Sequence, residues 1–76
     1  MKNIGIIGYG EIGQSLEKCY LGKNFNINIV DTGKKINQIN GNIDILNIAI
    51  PFIDQQQFSK IVSQYIETYS PTLTII

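Results

Sequence analysis

The sequence predicts an α/β domain built on an open parallel sheet of about four strands, in spatial order 2-1-3-4, with two main helices. Three observations carry this expectation. The almost continuously apolar run at residues 3–7 reads as a strand covered on both faces, and the apolar runs at 26–30 and 43–50 read as further strands. Two other stretches repeat apolar residues at helical spacing. A glycine-rich turn joins the first run to the first of these helices, as an alternating strand and helix order requires.

Each element follows from its residues. The first strand, 3–7, is built on Ile4, Ile6 and Ile7. A helix over 11–21 puts Ile12, Leu16, Cys19 and Tyr20 on one face, with Glu11, Gln14, Glu17 and Lys18 off that stripe. Gly22 is its expected C-cap, and Cys19 is expected to be inert core. The second strand, 26–30, runs into Asp31 and the turn residues Thr32-Gly33. Residues 32–42 carry glycines, lysines and amides and allow at most one helical turn, over 36–39. The third strand, 43–50, is apolar apart from Asp44 and Asn47, and Pro51 ends it. Asn47 is expected to be bonded within the fold, because a buried amide needs partners. Asp54 and Gln57 fit a capping box, and Phe58, Ile61, Val62, Tyr65, Ile66 and Tyr69 trace the stripe of the second helix until Ser70-Pro71 stops it. Residues 72–76 read as a fourth strand. Right-handed crossovers then place strands two and three on opposite sides of strand one.

Composition bounds the rest. Seventy-six residues allow one domain with a small core. Six basic and six acidic residues give no net charge, and Lys34-Lys35 is the only adjacent basic pair, so the footprint of a nucleic-acid binder is missing. One cysteine excludes an internal disulfide, and without histidine neither a zinc site nor a Ser-His-Asp or Cys-His constellation can be assembled. No catalytic residue and no metal ligand is therefore expected. Without a charged leader or a membrane-length apolar run, the expected setting is cytoplasmic, with no membrane partner.

The segment Gly8-Tyr9-Gly10-Glu11-Ile12-Gly13 lies between the first strand and the first helix, the context of a dinucleotide-binding turn in a Rossmann-like fold. Gly8 permits a tight reversal, Gly10 lets backbone approach a pyrophosphate, and Gly13 lets the helix pack closely on the strand. The helix N-terminus offers N–H groups and a positive dipole end to the phosphates. Asp31, 18 residues after Gly13, stands where a carboxylate accepts hydrogen bonds from ribose hydroxyls. Tyr9 either stacks on the cofactor or covers it. Lys34 and Lys35 either reach a 2′-phosphate or form a solvated loop.

The run Ile6-Ile7-Gly8-Tyr9-Gly10-Glu11-Ile12-Gly13-Gln14-Ser15-Leu16, the Val30-Asp31 ending, and Asp44-Ile45-Leu46-Asn47-Ile48-Ala49-Ile50-Pro51 resemble the N-terminal NAD-binding domain of the 6-phosphogluconate and UDP-sugar dehydrogenase superfamily. The resemblance implies NAD as cofactor, Asp31 on the adenosine ribose, and Ala49, Ile50, Pro51 and Phe52 lining the site. Residues 32–42 are too few for that family's extra helix and strand, and Glu17 stands where the family has a small residue. The expectation is a single truncated dinucleotide-binding domain, 1–76, the NAD(H)-binding part of a hydride-transferring dehydrogenase whose catalytic domain is not in this chain. The alternatives are a stand-alone module that senses or sequesters NAD-like ligands, and a structural domain with an empty turn. The same turn also suits FAD or another adenine dinucleotide. The uncharged, apolar stretch 72–76 forms a sheet edge, which predicts a two-fold homodimer through the fourth strand or the second helix.

Overall fold

A computed structural model of the chain describes residues 2–39, 42–50 and 55–76. In chain order the elements are β1 (Lys2–Ile7), α1 (Glu11–Tyr20), β2 (Phe25–Asp31), β3 (Ile36–Asn37), β4 (Ile45–Ile48), α2 (Gln55–Tyr69) and β5 (Leu73–Ile75). They form an α/β fold on one five-stranded mixed sheet, in order β3-β2-β1-β4-β5. β1 is parallel to both β2 and β4, and β5 is parallel to β4, whereas β3 runs antiparallel to β2.

This corrects the expected four parallel strands in order 2-1-3-4. The additional strand is β3, formed where at most a helical turn was expected. Thr32 to Lys35 close a tight turn, in which the Lys35 N–H donates to the Thr32 carbonyl at 3.2 Å and Lys35 takes the left-handed conformation, φ 56°. The chain therefore folds back, and Ile36 and Asn37 pair with Asp31 and Val30. Ile36 packs against the buried cluster of Ile4, Ile6 and Ile29. An isolated helical turn would bear its nucleation cost and leave Ile36 without that contact.

Strand alternation divides the core between the two sheet faces. Ile4, Ile6 and Ile29 pack with Leu16 and Tyr20 of α1. Ile7, Val30, Leu46 and Ile48 pack with Val62, Phe58, Tyr65 and Tyr69 of α2. Each helix thus covers one face. Ile4 and Ile6 are wholly buried, each contributing about 1.5–3 kcal/mol of apolar transfer.

The face that α1 buries is not the one expected. Ile12 is 68% exposed and Cys19 is exposed. Gly13 is the buried residue of the helix, with Leu16, Glu17 and Tyr20 half-buried around it. At about 100° per residue, this centres the inward face on Gly13 and Tyr20 and turns Ile12 and Cys19 roughly a quarter-turn away. The helix ends at Tyr20, and Gly22 follows with φ 78°. On α2, Val62 is buried and Phe58, Ile61, Tyr65 and Tyr69 are half-buried, while Ile66 is exposed and leaves the expected stripe. The proposed Asp54 cap and Pro51 stop lie outside the described residues. Asn47, 2% exposed, donates to the Gly5 carbonyl at 3.4 Å and lies 3.2 Å from the Tyr20 hydroxyl, tying α1 to the sheet.

Candidate functional site

The first strand of the sheet to be laid down becomes its centre. β1 ends at Ile7 between β2 and β4, with one helix on each face, so a crevice opens beyond its carboxyl end. A cavity of about 790 Å³ lies there. That is within the size range of small-molecule sites, roughly 300–1,000 Å³. Its lining comes from the glycine turn and the start of α1, from Asp31 to Lys34, from Ala49 and Ile50 after β4, and from Tyr65 of α2.

The three glycines of the turn have separate physical causes. Gly8 has φ 96°, and a Cβ there would stand 2.5 Å from the Ala49 carbonyl oxygen. A Cβ on Gly13 would fall on the Gly8 carbonyl oxygen. Both are therefore demanded by the chain's own packing, and the contact of Gly13 sets α1 directly on the turn despite Glu17. Gly10 differs. Its φ of −83° and ψ of −157° suit any residue, and a Cβ would meet nothing within 4 Å. Packing gives no reason for a glycine here, and Gly10 borders the cleft.

Gly10 is also the N-cap of α1, whose first backbone bond runs from the Gln14 N–H to the Gly10 carbonyl at 2.9 Å. No side chain caps the helix. The N–H groups of Glu11 and Ile12 precede that rung at the positive end of the dipole, and both residues line the cavity.

Tyr9 is clamped from both sides. Its N–H donates to Asp31 Oδ2 at 2.7 Å, and its carbonyl accepts from Lys34 Nζ at 2.7 Å and Gln14 Nε2 at 3.3 Å. Its hydroxyl donates to Glu17 Oε1 at 2.6 Å, and that carboxylate, with burial, raises the phenol above its ordinary pKa. Glu17 thus holds the tyrosine while α1 still packs on the turn. The Lys34 ammonium also stands 5.5 Å from the centre of the Tyr9 ring.

Asp31 sits at the end of β2 and faces this turn. Besides Tyr9, the N–H of Lys34 donates to its Oδ1 at 3.1 Å. The N–H of Tyr9 first, then that of Lys34, hold its carboxyl below the usual aspartate range. It is therefore an ionised acceptor at neutral pH and a weak base.

Of the residues singled out from sequence, Gly8, Tyr9, Gly10, Glu11, Ile12, Asp31, Ala49 and Ile50 line the cavity together. Gly13 lies behind them, buried against Gly8. Pro51 and Phe52 lie outside the described residues. Tyr65 was missed, because its place on the apolar stripe of α2 marks it only as core. Lys34, for which the sequence leaves open a 2′-phosphate contact or a solvated loop, lines the cavity and bonds the Tyr9 carbonyl, and nothing local in the sequence signals that bond.

Among the described residues no cluster of His, Cys, Asp and Glu is arranged to hold a metal ion. No helix among them is long and apolar enough to cross a membrane. No family model, curated protein or solved structure matches this chain.

Proposed function

We propose that this chain is an NAD(H)-binding domain, the cofactor-holding part of a hydride-transferring dehydrogenase whose catalytic groups are not in this chain. The observation that carries the reading is Gly10: a glycine with no packing reason to be one, at the uncapped start of a helix, facing an open cleft. The N–H groups of Glu11 and Ile12 would take pyrophosphate oxygens. Asp31 accepts from the N–H groups of Tyr9 and Lys34 on different carboxylate oxygens, with a weaker backbone contact from Gly33, and its carboxylate keeps acceptor capacity for a ribose hydroxyl. Lys34 spends one ammonium proton on the Tyr9 carbonyl and keeps two for an anion. Ala49 and Ile50 would form the apolar wall. When bound, the dinucleotide supplies the hydride chemistry of its nicotinamide.

The same geometry serves the alternative of a stand-alone module that senses or sequesters NAD-like ligands. Asp31, the acid best placed in the cleft, is held ionised by backbone N–H groups, and such a carboxylate is better suited to holding hydroxyls than to taking protons. A reading frame continuing past Ile76 into a helical domain supports the enzyme, and a stop there supports the module. In either case the expected macromolecular partner is a second copy, through the β5 edge, where Leu73, Ile75 and Ile76 are 51%, 45% and 70% exposed.

Thermal unfolding during titration with NAD, NADH and ADP-ribose tests the binding. A ligand at about 100 times its Kd stabilises the native state by roughly 2.7 kcal/mol. An unchanged transition with all three ligands at millimolar concentration overturns the proposal.

A further inference from the structure

β5 is lightly held. It is three residues long, lies at the edge of the sheet and pairs only with β4. The chain enters it through a strained hinge. After α2 ends at Tyr69, the Ser70 N–H donates to the Ile66 carbonyl at 2.8 Å, with Ser70 at φ 42°. That is the left-handed cap position that glycine usually fills, and a side chain there is strained. Pro71 follows directly, and a proline favours extended backbone in the residue before it. The N–H groups of Thr72 and Leu73 then both donate to the Asp44 carbonyl at 3.0 Å. The reversal from helix to strand is thus completed within Ser70 and Pro71.

We infer that β5 is an exchangeable strand: in the dimer it leaves its own β4 and pairs with β4 of the second copy, the chain running straight through Ser70 and Pro71. This specifies how the expected second copy is held and does not depend on the proposed ligand. The closed and exchanged forms share the same pairing, Ile45 with Leu73, Leu46 with Thr74 and Asn47 with Ile75, and the same bonds to the Asp44 carbonyl. Only the owner of the strand differs. The balance is therefore set by the hinge and by the new contact between copies, against the entropy of association. Extending Ser70 abolishes its left-handed conformation and suits Pro71, and a short hinge under strain invites exchange. Simple pairing of two β5 edges would leave both hinges strained. Leu73, Ile75 and Ile76, exposed in a single copy, supply apolar surface where the two chains cross.

Isotope-mixed dimers decide it. Chains labelled with heavy nitrogen and chains labelled with heavy carbon are unfolded together, refolded, and compared by isotope-filtered nuclear Overhauser spectra. Contacts between the two labels are expected to join residues 45–47 of one chain to residues 73–75 of the other. If contacts between labels are confined to residues 73–75 of both chains, the dimer is edge-paired and the inference is overturned while the β5 contact stands. If no contact joins the two labels, both are overturned. The hinge variants test the cause. Ser70→Gly makes the left-handed turn free of strain and is expected to weaken the dimer by about 5- to 30-fold for each hinge, the equivalent of the left-handed penalty. Ser70→Val, whose branched side chain tolerates that turn least, should strengthen the dimer. A dimer constant unchanged in both variants overturns the hinge as the driving element. The spectra of the parent protein are decisive even if a hinge variant does not fold.

Discussion

Replacing Gly10 with valine and Gly13 with alanine perturbs two glycines of one motif in opposite ways. At Gly10 the backbone is already extended, and a Cβ would meet nothing within 4 Å. A side chain there loses a modest N-cap preference but also removes conformational freedom from the unfolded chain, by about 0.4–1 kcal/mol. The net effect on stability is expected to stay within about 0.5 kcal/mol. The valine methyls would instead occupy the space in front of the Glu11 and Ile12 N–H groups, so binding is expected to vanish. At Gly13 the new Cβ would fall on the Gly8 carbonyl oxygen, which belongs to backbone and cannot swing aside. Overpacking of this kind typically costs about 1–3 kcal/mol and occasionally more. A chain of this length has only about 4–11 kcal/mol of total stability at the usual 0.05–0.15 kcal/mol per residue. Circular dichroism melts of both variants, with and without saturating ADP-ribose, make the comparison. Gly10→Val should melt near the parent temperature and lose the ligand-induced rise of roughly 10 °C or more, whereas Gly13→Ala should melt well below the parent before ligand is added. The reasoning is refuted if Gly10→Val keeps the full ligand shift, or if Gly13→Ala melts with the parent.

Three further outcomes follow from the same geometry. Lys35→Gly is expected to stabilise the fold by about 0.5–1 kcal/mol in urea titrations, because Lys35 is held at φ 56° in the turn before β3; an unchanged or lower midpoint would count against strain at this turn. The pKa of Asp31 is lower in the folded state than in the unfolded one, so its contribution is present above the unfolded value near 3.9 and is lost as pH falls through the folded one. Melting temperature should therefore drop below about pH 4, and Asp31→Asn should flatten that limb; a variant with the parent's acid profile would assign the effect to another group. Light scattering should find the parent as a dimer and Ile75→Lys as a folded monomer, and a stable parent species at 8.5 kDa in the micromolar range would exclude the β5 edge as the contact.

What was legible in the sequence was what is local and periodic. The run Ile4 to Ile7, the glycine spacing that follows, and the acid after Val30 each declare themselves within a few residues, and β1, α1 and β2 formed there. β3 was not legible because two residues have no period; the left-handed Lys35 and the burial of Ile36 against Ile29 decide it, and the second of these is a contact across the sheet. The helical stripe of α1 was visible but its centre was not, since Ile12 and Cys19 fit a 3.6-residue spacing as well as Leu16 and Tyr20 do. The centre was fixed by Gly13 meeting the Gly8 carbonyl.

The same distinction governs the site. Gly8, Gly10 and Gly13 are alike as letters, and the spacing alone assigns all three to one motif. Packing separates them: two are required to fold the turn at all, and would be kept by a chain that binds nothing. Only Gly10 has space before it that no part of the described fold occupies. A glycine-rich turn is therefore weak evidence for a ligand when all its glycines are explained from within, and stronger evidence when one is left over. In this chain the residue left over stands at the N-cap of α1, beside an ionised Asp31 and a lysine with two protons unspent.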